Sequence, residues 1–294
     1  MDLKFLTGEP ALLAGRTLFV ADIHVGIEHE FRKSGLNMPS QTQNLLSRIE
    51  SLLENTHARR LVLIGDIKHK VPGISWQETR EVPVFLQRLA EKAELHVVPG
   101  NHDGRIAEFV PKGVKLYPME GSLIQDKGIV AGRRNGERRR PQTPSNKRSP
   151  SIEPLVYVCH GHAWPDPAFL QAKYLIMSHS HPQVEFRDRL GYTWRERIWI
   201  RAALDSKKIR EKYPAAKSIP ELIVMPAFNP LSGGIPVNRK KRPEEQHRKE
   251  GGTTHIGSGS TFSPERSPIL KSAKMKTAKI YMLDGTYLGE LGKL

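Results

Sequence analysis

Five short stretches of this 294-residue chain concentrate side chains that hold cations and move protons. They are Asp22-Ile23-His24, Gly65-Asp66-Ile67-Lys68-His69, Gly100-Asn101-His102-Asp103, His160-Gly161-His162 and Ser178-His179-Ser180-His181. Seven of the twelve histidines in the chain fall in them, and aspartate or asparagine accompanies the first three. One such stretch is an ordinary turn, because Gly, Asn and Asp tolerate left-handed backbone; five in series are not. In Asp22-x-His24 and His179-x-His181, residues two apart point the same way from an extended chain, so each pair offers two ligands to one point. Carboxylate oxygen, amide oxygen and neutral imidazole together suit borderline divalent ions such as Mn²⁺, Fe²⁺ or Zn²⁺. Cys159 is the only cysteine, which argues against a structural zinc site built on thiolates. Six or seven donors exceed the needs of one ion and suit two, about 3.5–4 Å apart and bridged by a carboxylate. Asp66, on the central strand by sequence order, is the bridging candidate.

Each stretch closes an apolar run that reads as a buried strand: TLFVAD (17–22), RLVLIGD (60–66), LHVVPGN (95–101), LVYVCH (155–160) and YLIMSHSH (174–181). Between the first two runs, Leu45, Leu46, Ile49, Leu52 and Leu53 recur at helical spacing, and Ser40 with Gln43 suits a capping box at the helix start. A second helix is expected over 77–93, with Val82, Phe85, Leu86, Leu89 and Ala93 on one face. This β-α-β-α-β order predicts an α/β fold with a mostly parallel buried sheet and helices outside. In such sheets ligands gather beyond the carboxyl ends of the strands, where the five stretches lie. Further strands are expected at RIWIRAAL (197–204), ELIVMP (221–226) and KIYML (279–283). Antiparallel pairs are expected over 183–199 and 279–291, the latter turning at Asp284-Gly285. No internal repeat is visible.

Length and composition allow one large domain with a sizeable core, 38% of residues being hydrophobic. No apolar run reaches the roughly 18 residues of a membrane span. The opening MDLKFLTGEPALLAG lacks the basic region and long apolar stretch of a secretory leader. With no internal disulfide possible, a reducing cytoplasmic setting is expected. The net charge of +15 is unevenly distributed. Residues 132–150 carry seven Lys/Arg against one acid, and residues 239–276 carry ten against four. The remainder is close to neutral, at +3. Segments 132–150 and about 239–268, rich in Pro, Gly, Ser and charge, read as mobile surface insertions in a single domain spanning 1–294. They are either solvated linkers or basic arms that contact the phosphates of DNA or RNA.

The five stretches, in this order, resemble the motifs of the calcineurin-like metallophosphoesterase superfamily. GDIKH, the Asn229-Pro-Leu-Ser-Gly-Gly stretch and the ending LDGTYLG extend the resemblance to its SbcD-related, ICC-like branch, mostly known from archaea. It runs from about residue 15 to 291, interrupted by the two basic insertions. The fold it implies has central, mixed and mostly parallel β-sheets sandwiched by helices. It implies two divalent metal ions, Mn²⁺ first, with Fe²⁺, Zn²⁺ or Ni²⁺ as alternatives. Carried over by position, the first ion would take Asp22, His24, Asp66 and His181, and the second Asp66, Asn101, His160 and His179. His102 would touch phosphate and act as general acid, His69 would assist with phosphate, and Asp103 would orient His102. One departure stands out: Ser178 occupies a position that is glycine in most members. His162 has no assigned role.

The activity so implied is metal-dependent hydrolysis of a phosphoester, a diester above all, as in the nucleases of DNA repair. A small-molecule phosphatase, a cyclic nucleotide phosphodiesterase and a non-catalytic scaffold of the same fold are the alternatives. The resemblance permits a homodimer without marking an interface. Trp164, Trp194 and Trp199 are candidates either for a base-stacking wall or for packing under the sheet.

Overall fold

A computed structural model describes residues 3–124, 156–239 and 267–294. The expected insertion at 132–150, and nearly all of that at 239–268, lie outside the described residues. The chain builds two β-sheets that face each other. The first is formed by β1 (Leu3–Phe5), β2 (Ala11–Ala14), β3 (Thr17–Ala21), β4 (Arg60–Ile64), β5 (Glu94–Val98) and β6 (Lys115–Leu116), side by side in chain order. β1 to β3 are antiparallel, and β3 to β6 are parallel. Between them run α1 (Glu28–Lys33), α2 (Thr42–Thr56) and α3 (Trp76–Lys92).

The second sheet contains β7 (Ser122–Ile124), β8 (Val156–Val158), β9 (Tyr174–Met177), β10 (Pro182–Arg187), β11 (Thr193–Ala203), β12 (Glu221–Val224) and β13 (Ile235–Pro236). Their order is β13-β10-β11-β12-β9-β8-β7, and the hairpin of β14 (Lys279–Met282) and β15 (Tyr287–Glu290) joins through β11. A short helix, α4 (Ser206–Lys212), follows β11. This sheet is mixed: β8, β9 and β12 are parallel, while β11 runs against β10, β12 and β14.

The alternation of side chains explains the layering. Leu18, Val20, Leu61, Leu63, Leu95 and Val97 turn outward to a core shared with α2 and α3. Phe19, Ala21, Val62, Ile64 and Val98 turn inward and meet Val158, Ile176, Trp199 and Ile223 of the second sheet. A third core covers the outer face of the second sheet, with Phe169, Ile198, Ile200, Ile209 and Ile280. β3 and β4 are therefore largely apolar on both faces, and β5 is so apart from Glu94 and buried His96, which is why they read as hydrophobic runs. Both expected antiparallel pairs form, β10 with β11 and β14 with β15.

Helix caps differ from expectation. α2 starts at Thr42 after Gln41, with no side-chain cap, and Ser40 instead bonds the Thr42 and Glu81 side chains. The capping box belongs to α3. Ser75 Oγ accepts the Glu78 N–H, and the Glu78 carboxylate accepts the Ser75 N–H. A glutamate three residues on is the stronger signal, because it returns a charged acceptor to the cap amide.

Candidate metal centre

The carboxyl ends of β3, β4 and β5 in one sheet meet those of β8 and β9 in the other. Asp22 and His24 follow β3, and Asp66 and His69 follow β4. Asn101 and His102 follow β5, and His160, His179 and His181 follow β8 and β9. Asp22 and Asp66 are buried, at 0% and 2% exposure. Asp22, His24, Asp66 and His181 bring ligand atoms within 4.8 Å of one another, and so do Asp66, His160 and His179. Asp66 belongs to both groups. His160 Nε2 lies 3.2 Å from Asp22 Oδ1 and 3.3 Å from Asp66 Oδ2. His181 Nε2 is 3.4 Å from Asp22 Oδ2. His24 Nε2 is 3.8 Å from Asp66 Oδ2 and 3.3 Å from His181 Nε2. Asn101 is exposed on the same loop, beside His102.

The backbone is bent to make this cluster. Among the described residues, seven that are not glycine have positive φ, and five of them are Asp22, His24, Asp66, His179 and His181, between +40° and +69°. Left-handed backbone at such residues costs on the order of 1–2 kcal/mol each. Two glycines admit the close approaches. Gly65 has φ +69°, and a methyl there would fall on the His160 ring; one on Gly100 would fall on the Asp66 carboxylate.

Electrostatics set the protonation. Burial disfavours charge on Asp22 and Asp66, but His181 and His160 outweigh it and hold both carboxyls well below the usual range. Burial lowers His24 well below its ordinary value, and burial with the neighbouring His102 takes His69 to about 4. Burial with His160 takes His179 to about 4. These imidazoles are neutral at pH 7 and keep lone pairs for ligation. For His160 burial is overcome by Asp66 and Asp22, which raise it to about 10; Asp22 likewise raises His181. The pull of Asp66 and Asp22 toward protons on His160 and His181 marks a site that favours positive charge, which a divalent cation would supply in place of those protons.

The supporting residues were less visible in the sequence. Asp103 is buried, and its carboxylate accepts the backbone N–H groups of Ile67 (2.8 Å), Lys68 (3.1 Å) and Gly100 (2.8 Å). It therefore ties the loop after β4 to the loop after β5. The partner of His102 Nδ1 is the His69 carbonyl, not Asp103. Burial and the Asp66 charge push Asp103 up to about 7, against the Gly100 and Lys68 amides that favour its charged form. Glu78, fully buried, accepts the N–H groups of His69 (2.8 Å) and Lys70 (2.6 Å) and so shapes the His69 loop. Buried Lys68 closes that loop by donating to the carbonyls of Lys70 and Gly73. Ser178 Oγ donates to the Ile64 carbonyl at 3.1 Å, a bond from one sheet to the other beneath the cluster. Asn229 Nδ2 donates to the Ile23 carbonyl at 2.8 Å, bracing the Asp22–His24 turn from behind. His162 Nδ1 lies 3.0 Å from His160 Nδ1.

The family model of calcineurin-like phosphoesterases matches residues 15–199, a span that contains all five strand ends. The chain belongs to this family. A calcineurin-like phosphoesterase is a hydrolase of phosphoester bonds that depends on divalent metal, and the His/Asp cluster supplies a candidate site for it. No curated protein matches this phosphoesterase. Among solved structures it is similar to a nuclease, MPE, from Pseudomonas putida, with 16% identity over 79% of this chain and 88% of that one, at a TM-score of 0.42. It is also similar to Yfce, a phosphoesterase from E. coli, with 15% identity over 58% and 73% of the two chains, at a TM-score of 0.33. No helix among its described residues is long and apolar enough to cross a membrane.

Proposed function

We propose that this phosphoesterase hydrolyses phosphodiesters, nucleic acid among them, at a site for two divalent ions. The observation that carries the reading is the sharing of Asp66 by two ligand groups, Asp22–His24–Asp66–His181 and Asp66–His160–His179. Asn101 would complete the second group. The donor set of carboxylate, amide and neutral imidazole suits borderline divalent ions, and the resemblance puts Mn²⁺ first, then Fe²⁺, Zn²⁺ or Ni²⁺. Bound there, the ions polarise the phosphate and acidify a water nucleophile. The finer placement in the SbcD-related branch rests on GDIKH, the Asn229 stretch and LDGTYLG.

The chain's own residues supply the rest. With Nδ1 turned to the His69 carbonyl, the His102 ring presents Nε2 toward Asp66, 3.9 Å from Oδ2. A proton on Nε2 is then placed for the departing alkoxide. His69, packed beside His102 with ring centroids 5.6 Å apart, lies within reach of the same phosphate. Asp103 and Glu78 hold the two loops, and thereby both rings, in place.

The test uses metal-stripped protein with bis-p-nitrophenyl phosphate and with a dinucleotide, with and without Mn²⁺. Mn²⁺-dependent turnover of both is expected. His102→Ala should lower dinucleotide hydrolysis by about 10²–10⁴-fold. It should spare the nitrophenyl ester, whose leaving group needs little acid help. A folded protein that turns over neither ester with any of the four metals overturns the reading. Equal losses on both esters overturn the acid role of His102.

A further inference from the structure

We infer that the β10–β11 hairpin is a stacking platform for single-stranded nucleic acid, holding nucleotides several positions from the scissile bond. This rests on the diesterase reading above and adds a binding site outside the metal cluster.

The hairpin begins at Pro182, one residue after His181. β9 and β12 run parallel, and β11 runs against both β12 and β10, so β10 continues in the direction of β9. Ile200 of β11 is level with Val224 of β12 and hence with Met177, the last residue of β9. Trp194 is six residues farther along β11, or roughly 20 Å at about 3.3 Å per residue. The hairpin tip therefore stands well beyond the strand ends where the candidate ligands gather.

Three rings line one side of it. Phe186 and Trp194 face each other across the ladder with centroids 5.4 Å apart and planes at 27°. Tyr192 prolongs the stack, 6.2 Å from Trp194 at 20°. Cross-strand pairing accounts for the first two rings. It does not account for Tyr192, which lies in the turn and is 68% exposed, nor for Leu190 beside it at 95%. The tip is built rather than loose. Asp188 Oδ1 accepts the N–H groups of Leu190 and Tyr192, both at 2.9 Å, and Asn238 exchanges hydrogen bonds with the Glu185 backbone.

Ring chemistry selects the occupant, since residues 185–196 carry three arginines against three acids and are neutral overall. Arg187 and Arg189 are exposed at the tip, and among the described residues neither pairs with a carboxylate, whereas Arg195 is paired with Glu185. The exposed rings of Tyr192 and Trp194 offer flat surfaces for bases to stack on, and Arg189 in the same turn offers a guanidinium to a phosphate. Trp164, packed edge-on against Tyr213, and Trp199, buried between the sheets, take no part.

The experiment measures binding of a fluorescein-labelled oligodeoxythymidine of about 20 nucleotides to metal-free protein by anisotropy, a readout independent of hydrolysis. Tyr192→Ala with Trp194→Ala should weaken binding at least about tenfold. Trp194→Phe should restore most of it, and Arg189→Gln should reduce the salt slope by about one. Circular dichroism checks that the variants are folded. Undetectable binding by the wild type, unchanged affinity in the folded double variant, or a loss traced by sedimentation to dissociation of a dimer overturns the inference. An inactive enzyme whose oligonucleotide affinity still depends on these rings sinks the diesterase reading and leaves the platform standing. An active enzyme with unchanged affinity sinks the platform alone.

Discussion

Asp103→Asn isolates the role of a buried carboxylate that touches none of the candidate ligands' ring atoms. The native side chain takes two backbone N–H groups on Oδ1, from Ile67 and Lys68, and one on Oδ2, from Gly100. Asparagine is nearly the same size but offers one acceptor oxygen. Whichever way it turns, at least one buried N–H faces an NH₂ group. An unsatisfied buried donor costs about 1–3 kcal/mol, and more where the lost acceptor was charged. For a protein of this size, a loss of about 2 kcal/mol corresponds to a melting point lowered by about 4–8 °C. Alanine would free all three amides, at about 3–9 kcal/mol, a large share of a typical stability of 5–15 kcal/mol. The loops so released carry Asp66 and His102, and misplacement by about 1 Å can cost on the order of 10²-fold in rate. The assay pairs calorimetric melting with Mn²⁺-dependent diester hydrolysis at a temperature where the variant is folded. A variant that melts within a degree of wild type and turns over normally would refute the reasoning.

Gly65→Ala should lose metal binding or fail to fold, because φ is +69° and the added methyl falls on the His160 ring; normal metal content by elemental analysis would contradict this. Ser178→Ala removes the donor to the Ile64 carbonyl and should lower the melting point by about 2–4 °C, for about 1 kcal/mol; an unchanged melt would show the bond to be dispensable. His96 is buried beside Glu94 and Tyr117, and burial lowers it below its ordinary 6.5. Between 6.5 and that depressed value the unfolded chain binds the extra proton, so the His96 contribution to stability is present above pH 6.5 and lost as pH falls below it. His96→Gln should therefore lose less stability than wild type between about pH 7.5 and 5, as read from urea midpoints; parallel curves would exclude His96 as the source.

The parts of the fold that sequence made legible are those with local signatures. β3 and β4 are largely apolar on both faces, and β5 nearly so, so the runs before Asp22, Asp66 and Gly100 announce themselves. The polar cluster after each run marks where chemistry is possible. What stayed hidden depends on long-range contacts. Ser40 and Ser75 both precede helices, yet only Ser75 has Glu78 to close the box. Lys68 and Glu78 look like surface charges in GDIKH and SWQE, and only the folded loop buries them against backbone groups. Ser178 appeared as a mere departure from glycine because its partner, Ile64, belongs to the other sheet. The three tryptophans could not be sorted by spacing, since one packs an outer core, one the seam, and one the hairpin tip.

The left-handed backbone at Asp22, His24, Asp66, His179 and His181 bears on how this protein can evolve. Glycine adopts such angles without penalty. A change to glycine at any of these five positions relaxes the turn while deleting a candidate ligand. Selection for stability alone would therefore drift toward an inert descendant with the same strands and the same turns. Keeping these five residues is a running tax on stability that only selection for activity can maintain, so their loss is the first erosion to expect in a lineage that has abandoned catalysis.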